Sequence, residues 1–227
     1  MRNHRSPITH RNARGPREDG LTTRAQVLEA AGVVFAQQGF DRATAKEIAA
    51  RAGTNAAAIN YHFGGVDRLY EEVLVEAHYR LVNLQQLRAL VSEDLAAEDK
   101  LRHLIGLIVG VLTGPAAQTW SVRVISREFL APSPHVEVVR RKAFEPKKTL
   151  VFALIGELLK LPAEHPAVER CFLNIAAPGA MLLLADRSLL RRTLPSIDRD
   201  PESLVQHLVR FALGGIAAIA ENERNPV

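Results

Sequence analysis

Apolar residues recur along the chain at intervals of three and four positions, which is the spacing of one face of an α-helix. One clear stripe of this kind is formed by Leu101, Leu104, Ile105, Ile108 and Leu112. No stretch shows sustained alternation of apolar and polar positions, so strands are not expected. The pattern therefore predicts an all-α protein.

Glycines, prolines and capping residues divide this pattern into separate helices. A first helix is expected from about Thr23 to Gly39, and a long fourth helix from Gly65 to about residue 90. Another long helix is expected over about 135–161, and Pro146 inside it predicts a kink because proline removes a helical hydrogen bond.

The last two predicted helices differ from the others because both are apolar on more than one face. The first covers about 167–186, and the second begins at Asp200 as its cap. The final helix has one stripe formed by Leu204, Leu208, Phe211, Gly215 and Ile219 and a second formed by Val205, Val209, Leu213 and Ala217. One stripe can face the core of the same chain, so the other predicts a two-fold homodimer through a four-helix bundle. The alternative is a thicker core within a monomer.

Residues 44–69 predict two short helices joined by a glycine turn and followed by the long fourth helix. Thr44 and Glu47 form a capping box at the start of the first short helix. Gly53 follows that helix at a position where glycine adopts a left-handed conformation without steric cost. Thr54 and Asn55 then cap the second short helix. This arrangement is typical of a helix-turn-helix motif, whose second helix can enter the major groove of DNA.

The side of the second helix that would face DNA carries small and hydrogen-bonding residues. The amide of Asn60 can pair with the edge of an adenine, and the alanines leave room for thymine methyl groups. The predicted DNA contacts are Thr44, Lys46, Thr54, Asn55, Ala56, Asn60, Tyr61, His62 and Arg68. The alternative is a plain helical hairpin in which Asn60, Tyr61 and His62 are solvated surface residues.

This segment resembles the DNA-binding region of TetR-family transcriptional regulators. The residues that match the family's pattern are Thr44, Ile48, Ala49, Ala52, Gly53, Ile59, Asn60, Tyr61, His62, Phe63, Gly64, Gly65 and Leu69. Together with REFLAPSP at 127–134, the sequence AAINYHFGG resembles the CecR-like branch more narrowly. Where the family usually has a lysine this chain has Val66, and Arg68 can supply the expected phosphate contact instead.

The resemblance implies a domain division and a ligand. We expect a flexible basic arm at 1–20, a helix-turn-helix DNA-binding domain at 21–65, and a helical ligand-binding and dimerisation domain at 66–227. The implied small-molecule effector would bind among the middle helices, and the candidate lining residues are Trp120, Arg123, Arg127, Phe144, Phe152 and Asn174. The alternative is that the arginines form structural ion pairs and the aromatic residues are simply core.

The composition shows an uneven distribution of charge and indicates the cellular compartment. The 227 residues carry a net charge of +4, but residues 1–24 contain six arginines, so the arm could lie along phosphates or in a minor groove. A tail that merely aids solvation is the alternative. A single cysteine, Cys171, excludes an intramolecular disulfide, and no apolar run reaches the length of a membrane span. A cytoplasmic protein without membrane association is expected.

These features together predict a sequence-specific regulator of transcription, with no cofactor and no metal. Repression relieved by a small molecule is the commoner outcome in the family, and a palindromic operator suits a two-fold dimer. An activator and a ligand-free architectural DNA binder are alternatives on the same fold. A helical enzyme is a third class, although the sequence has no HExxH helix, no GxSxG turn and no phosphate-binding glycine loop.

Overall fold

The computed structural model describes residues 16–224, and these fold into helices without strands, as predicted. The helices are α1 Pro16–Gln38, α2 Ala45–Ala52, α3 Ala56–Phe63, α4 Val66–Leu81, α5 Leu84–Ser92, α6 Ala97–Thr113, α7 Trp120–Leu130, α8 Val136–Val139, α9 Glu145–Leu159, α10 Pro166–Leu184, α11 Arg187–Thr193, α12 Pro195–Arg199 and α13 Pro201–Arg224. A 3₁₀ turn, Pro115–Gln118, precedes α7, and a π-helical turn, Arg140–Phe144, joins α8 to α9.

Two hydrophobic cores organise these helices, and we call the parts around them the head and the body. The head core joins α1, α2, α3 and α4, and its fully buried side chains include Val27, Phe35, Ile48, Ile59 and Leu69. Helix α7 belongs to the head core as well as to the body, because it packs against both α1 and α4. The division at residues 65 and 66 remains a prediction, and the packing of the head extends beyond it.

The body core lies among α5, α6, α9, α10 and α13. Its largest fully buried side chains are Leu87, Leu101, Leu154, Ile155 and Leu159. Helices α10 and α13 are the two described helices that are long and apolar enough to cross a membrane by length and composition alone. Each helix buries one face against neighbouring helices of the same chain. A protein partner that covers the second face would account for the apolar composition as well as a membrane would.

The structure changes the predicted limits of two helices. Helix α1 begins at Pro16, earlier than the predicted Thr23, so residues 16–20 are helical, and the rest of the predicted arm lies outside the described residues. Helix α4 ends at Leu81, because Val82 is extended with φ −142° and the side chain of Asn83 caps α5 by accepting hydrogen bonds from Gln85 and Gln86. The predicted single rod to residue 90 is therefore two helices.

Around Pro146 the predicted single helix is divided into α8, the π-helical turn and α9. The π-helical turn ends at Phe144, and Pro146, which has no N–H to donate, occupies the first turn of α9. The cap of the last helix agrees with the sequence pattern. The carboxylate of Asp200 accepts a hydrogen bond from the N–H of Ser203 at 3.0 Å, as expected of a cap. Helices α11 and α12, in contrast, were not predicted.

Candidate nucleic-acid interface and ligand cavity

Helix α2 begins and ends as its sequence predicts. The hydroxyl of Thr44 accepts a hydrogen bond from the N–H of Glu47 at 3.2 Å, and the carboxylate of Glu47 accepts one from the N–H of Thr44 at 3.1 Å. Both bonds of the capping box are therefore present. Hydrogen bonds donated to the carboxylate of Glu47 by the hydroxyl of Thr44, the amide of Gln38 and the N–H of Thr44 lower the pKa of Glu47. Gly53 ends the helix with φ +68° and ψ +29°, a conformation that side chains with a Cβ rarely adopt.

Helix α3 has a buried face and a solvent face. The side-chain oxygen of Asn55 caps it by accepting a hydrogen bond from the N–H of Ala58 at 3.1 Å. Ile59 and Phe63 are buried in the head core, whereas Asn60 is exposed and Tyr61 is 85% exposed. An exposed amide suits hydrogen bonds to base edges in a DNA groove, and an exposed tyrosine hydroxyl suits a hydrogen bond to a phosphate.

The predicted DNA contacts lie on one short stretch of the head. Seven of them are exposed, namely Thr44, Lys46, Asn55, Ala56, Asn60, Tyr61 and Arg68, while Thr54 and His62 are half-buried. The ring of His62 lies edge-on to that of Tyr61, with centroids 4.9 Å apart. Val66 packs against the head core, so Arg68 is the nearby exposed cation that could contact a phosphate.

A cluster of hydrogen bonds ties α7 of the body to α1 of the head. Arg127 Nε donates to the carbonyl of Ala36 at 2.9 Å, and its Nη2 donates to the carbonyl of Gln37 at 3.0 Å. These carbonyls belong to the last turn of α1, which lacks partners of its own for them. The guanidinium of Arg127 therefore acts as a C-terminal cap for a helix of the head.

The neighbouring Glu128 ties the same helix to α4. Its buried carboxylate accepts a hydrogen bond from the hydroxyl of Tyr70 at 2.9 Å. It also accepts hydrogen bonds from the N–H and the hydroxyl of Ser133 at 2.9 and 2.8 Å. The segment 127–134, whose sequence REFLAPSP resembles the CecR-like branch, thus forms the head–body junction.

Trp120 belongs to this junction as well. Its Nε1 donates to Glu29 at 2.8 Å, and the guanidinium of Arg80 lies over its ring, 4.7 Å from the centroid. Arg80 in turn forms ion pairs with Glu29 and Glu76. A Cβ at Gly32 would come within 2.4 Å of the indole ring, so the ring packs directly on the backbone of α1.

A cavity of about 360 Å³ lies in the body among α4, α6, α9, α10 and α13. Its lining is mostly aliphatic and aromatic, and among the described lining residues there is no Asp or Glu. Leu104, Ile108, Val151 and Phe172 are representative of its walls. A concave, mainly apolar site with few polar groups is typical of a small-molecule pocket.

The structure brings only part of the predicted ligand set to this cavity. Phe144 and Asn174 line it, and Phe152 lies behind the lining, with its ring centroid 5.3 Å from that of Phe172. Trp120 and Arg127 do not line it, because their polar atoms are held in the junction, and Arg123 is exposed on α7 away from the lining. The prediction that these three residues line this cavity is therefore wrong.

Sequence reasoning missed His78 and Lys147, the two polar residues at the α4 side of the cavity. The ammonium of Lys147 donates to the carbonyl of His78 at 2.5 Å. Burial lowers the pKa of Lys147 to about 8, and burial together with the charge of Lys147 lowers the pKa of His78 to about 4. Lys147 lies three residues after Phe144, so helical spacing from a predicted lining residue was the available signal.

Metal chemistry finds no support in the described residues, because they contain no group of three or more His, Cys, Asp or Glu side chains arranged to hold an ion. Cys171 is buried, and burial raises the pKa of its thiol, so it is a poor nucleophile.

Comparison with known proteins yields matches over most of the chain. The family model "Bacterial regulatory proteins, tetR family" matches residues 27–73, and that of the "HTH-type transcriptional dual regulator CecR, C-terminal domain" matches residues 97–216. The HTH-type transcriptional activator FasR of Mycolicibacterium smegmatis is 30% identical over 222 residues, which cover 92% of this chain and 89% of FasR.

Two solved structures share the fold at low sequence identity. The fatty acid degradation regulator FadR of Bacillus halodurans superposes with a TM-score of 0.64 at 18% identity, covering 84% of this chain and 98% of FadR. FadR of Bacillus subtilis in complex with stearoyl-CoA gives a TM-score of 0.62 at 15% identity, covering 82% of this chain and 97% of its own.

Proposed function

Because this chain belongs to the TetR family of bacterial transcriptional regulators, we propose that it binds a palindromic operator as a homodimer and represses transcription until a small molecule releases it. Membership in this family places the chain among regulators of transcription and not among enzymes. The operator, the dimer, the ligand response and the sign of regulation are the parts that we propose.

The observation that carries the proposal is the exposed face of α3. Asn60 and Tyr61 project into solvent from a helix whose other face is locked into the head core by Ile59 and Phe63. A helix of eight residues held this way can enter a major groove as a rigid unit. Asn60 is the residue that we assign to base reading, and Lys46 and Arg68 are assigned to phosphates.

Exposed apolar side chains support the homodimer. Leu173 and Met181 of α10 are 67% and 55% exposed, and Phe211 of α13 is 73% exposed. Beside Phe211, Gly214 and Gly215 are exposed and allow another helix to approach closely. Two copies paired through α10 and α13 would form a four-helix bundle, and their recognition helices would then read half-sites about 34–36 Å apart.

The cavity and α4 support a ligand response. Helix α4 follows α3 after two glycines, packs against α7 through Tyr70 and contributes His78 and Leu81 to the cavity. A ligand that binds more tightly when α4 is in one of two positions would shift the protein toward that position. The resulting change in DNA affinity is limited by the difference between the ligand's affinities for the two positions. The complex of Bacillus subtilis FadR with stearoyl-CoA shows that this fold can hold a ligand with a long apolar chain.

Activation is a second candidate for the sign of regulation. The observation that favours it is the 30% identity to FasR, which is described as a transcriptional activator. The same operator binding would serve either outcome, because the sign depends on where the operator lies relative to the promoter. A reporter gene fused to the regulated promoter, compared with and without this protein, separates the two.

The experiment that tests the proposal is a selection of DNA fragments from the genome of the source organism by the purified protein at near-physiological salt. We expect a few fragments that share a palindrome with half-sites one helical turn apart. Fragments without a common sequence would contradict the proposal and favour an architectural DNA binder. A palindrome whose binding no small molecule alters would leave sequence recognition in place and refute the ligand response.

Base reading by Asn60 is tested by Asn60→Ala. The loss of a bidentate amide contact should weaken binding to the selected operator by about 1–3 kcal/mol and leave binding to random DNA almost unchanged. Lys46→Ala is the matched control, because loss of a phosphate contact should weaken binding to both DNAs alike and reduce the salt dependence. Equal losses on both DNAs for Asn60→Ala would refute the assignment.

A further inference from the structure

We propose that the cavity of the body binds an amphipathic carboxylate, with its aliphatic chain among the apolar walls and its carboxylate on the ammonium of Lys147. This inference rests on the proposed function, in which the effector occupies this cavity. It names the chemical class of that effector and the residue that recognises it. Neither the family assignment nor the overall fold specifies either of these.

The charge balance at the cavity is the first support. Lys147 is half-buried and forms no ion pair with any carboxylate of the described residues. The adjacent Lys148, in contrast, is paired with Glu145 at 2.8 Å. A partly desolvated ammonium without a counter-ion is costly, and an anionic ligand would remove that cost.

The position of Lys147 is the second support. It lies on the lining together with Phe144, which is three residues earlier and is the last residue of the π-helical turn. The nearby imidazole of His78 has a pKa lowered to about 4 and is therefore neutral near pH 7. Lys148 also lines the cavity, but Glu145 balances its charge. The unpaired positive charge at the cavity thus lies on one nitrogen, which suits one carboxylate.

The shape and lining of the cavity are the third support. A volume of about 360 Å³ lies within the range of small-molecule pockets. Leu104, Ile108 and Val109 of α6 and Ile216 and Ile219 of α13 offer apolar walls. Because burial of each methylene group is favourable, a linear aliphatic chain gains affinity along these walls. The combination of such walls with one unpaired cation selects an amphipathic anion.

The same geometry provides a connection to the head. The ammonium of Lys147 donates to the carbonyl of His78, in the last turn of α4, which also accepts a hydrogen bond from the N–H of Val82 at 3.2 Å. A bound carboxylate competes with this carbonyl for the ammonium. Binding therefore weakens a contact that holds the end of α4, which is the helix that leads to α3.

The test compares two competitors that share one chain and differ at the head group. The purified full-length protein is loaded with the fluorescent fatty acid cis-parinaric acid, which is then displaced by dodecanoate or by dodecanol. We expect the wild type to prefer dodecanoate by about ten- to hundredfold, the value of a hydrogen bond to a charged group. Lys147→Met should abolish that preference, because the affinity for dodecanoate should fall while the affinity for dodecanol stays within about twofold of the wild-type value. Lys147→Arg should retain much of the preference.

Lys148→Met is the matched control, because Lys148 also lines the cavity but is paired with Glu145. The Lys148→Met variant should still prefer dodecanoate. A wild type that binds neither competitor, or binds both equally, would overturn the inference, as would a preference that survives in Lys147→Met. The readout does not involve DNA. If dodecanoate binds through Lys147 and the operator is not released, then the ligand response of the proposed function fails while this inference stands.

Discussion

Removal of one hydroxyl at the head–body junction, by Tyr70→Phe, should destabilise the whole chain measurably. The hydroxyl of Tyr70 donates to the buried carboxylate of Glu128 at 2.9 Å, across 58 residues of sequence. Burial first, and then the neighbouring Glu128, raise the pKa of Tyr70, so the hydroxyl remains a donor throughout the accessible pH range. Phenylalanine preserves the ring contacts of Tyr70 with Phe35 and Phe40.

The size of the effect follows from the partners that remain. A hydrogen bond to a charged group contributes about 1.5–3 kcal/mol, and its loss leaves Glu128 buried with the two bonds from Ser133. We therefore expect the free energy of unfolding to fall by about 1.5–3 kcal/mol. Urea denaturation followed by far-UV circular dichroism measures this decrease. The protein concentration is held fixed, because association into the proposed dimer would add to the stability.

Tyr79→Phe is the matched control, because it makes the same change on the same helix at a side chain that is 45% exposed. Its effect should stay within about 0.5 kcal/mol, as is usual for surface substitutions. If Tyr70→Phe destabilised the protein no more than Tyr79→Phe does, the hydrogen bond to Glu128 would not be holding the head to the body. A changed denaturant slope would instead indicate that the head unfolds separately.

Two further predictions concern the dimer and the effect of pH. Phe211→Glu should give a monomer by light scattering and weaken operator binding. Leu21→Glu, at a similarly exposed position of α1, should remain a dimer. If Phe211→Glu were still a dimer, α13 would not be part of the interface. The free energy of unfolding should fall as the pH drops from 6.5 to about 4, because the pKa of His78 is lowered to about 4 in the fold and the unfolded chain takes up the proton first. His78→Gln should reduce this slope in urea midpoints measured across that range, and an unchanged slope would show that His78 is not its source.

Local sequence signals were sufficient for the head. Capping by Thr44 and Asn55 and the left-handed turn at Gly53 depend on residues within a few positions of one another, and all three are present. The burial of Ile59 and Phe63 follows from their spacing of four, which fixes one face of α3. The same spacing left Asn60 and Tyr61 on the other face, so the candidate DNA contacts could be chosen without the fold.

The ligand residues could not be chosen in this way, because local spacing does not say which helix faces which. Trp120 and Arg127 are of residue types that often line pockets. In the structure they donate hydrogen bonds to Glu29 and to the carbonyl of Ala36, respectively, and each partner is 91 residues away along the chain. Its spacing of three from Phe144 was the one local signal for Lys147, whose importance comes from the carbonyl of His78, 69 residues earlier.

The sequence by itself therefore determined the helical class, the helix-turn-helix motif and its exposed face, because these depend on periodicity and on caps within single helices. Tertiary structure alone decided that REFLAPSP forms the head–body junction and that a single unpaired ammonium lies at the cavity. The physical reason is that a buried polar group takes its meaning from the partner that satisfies it, and here those partners come from distant parts of the chain.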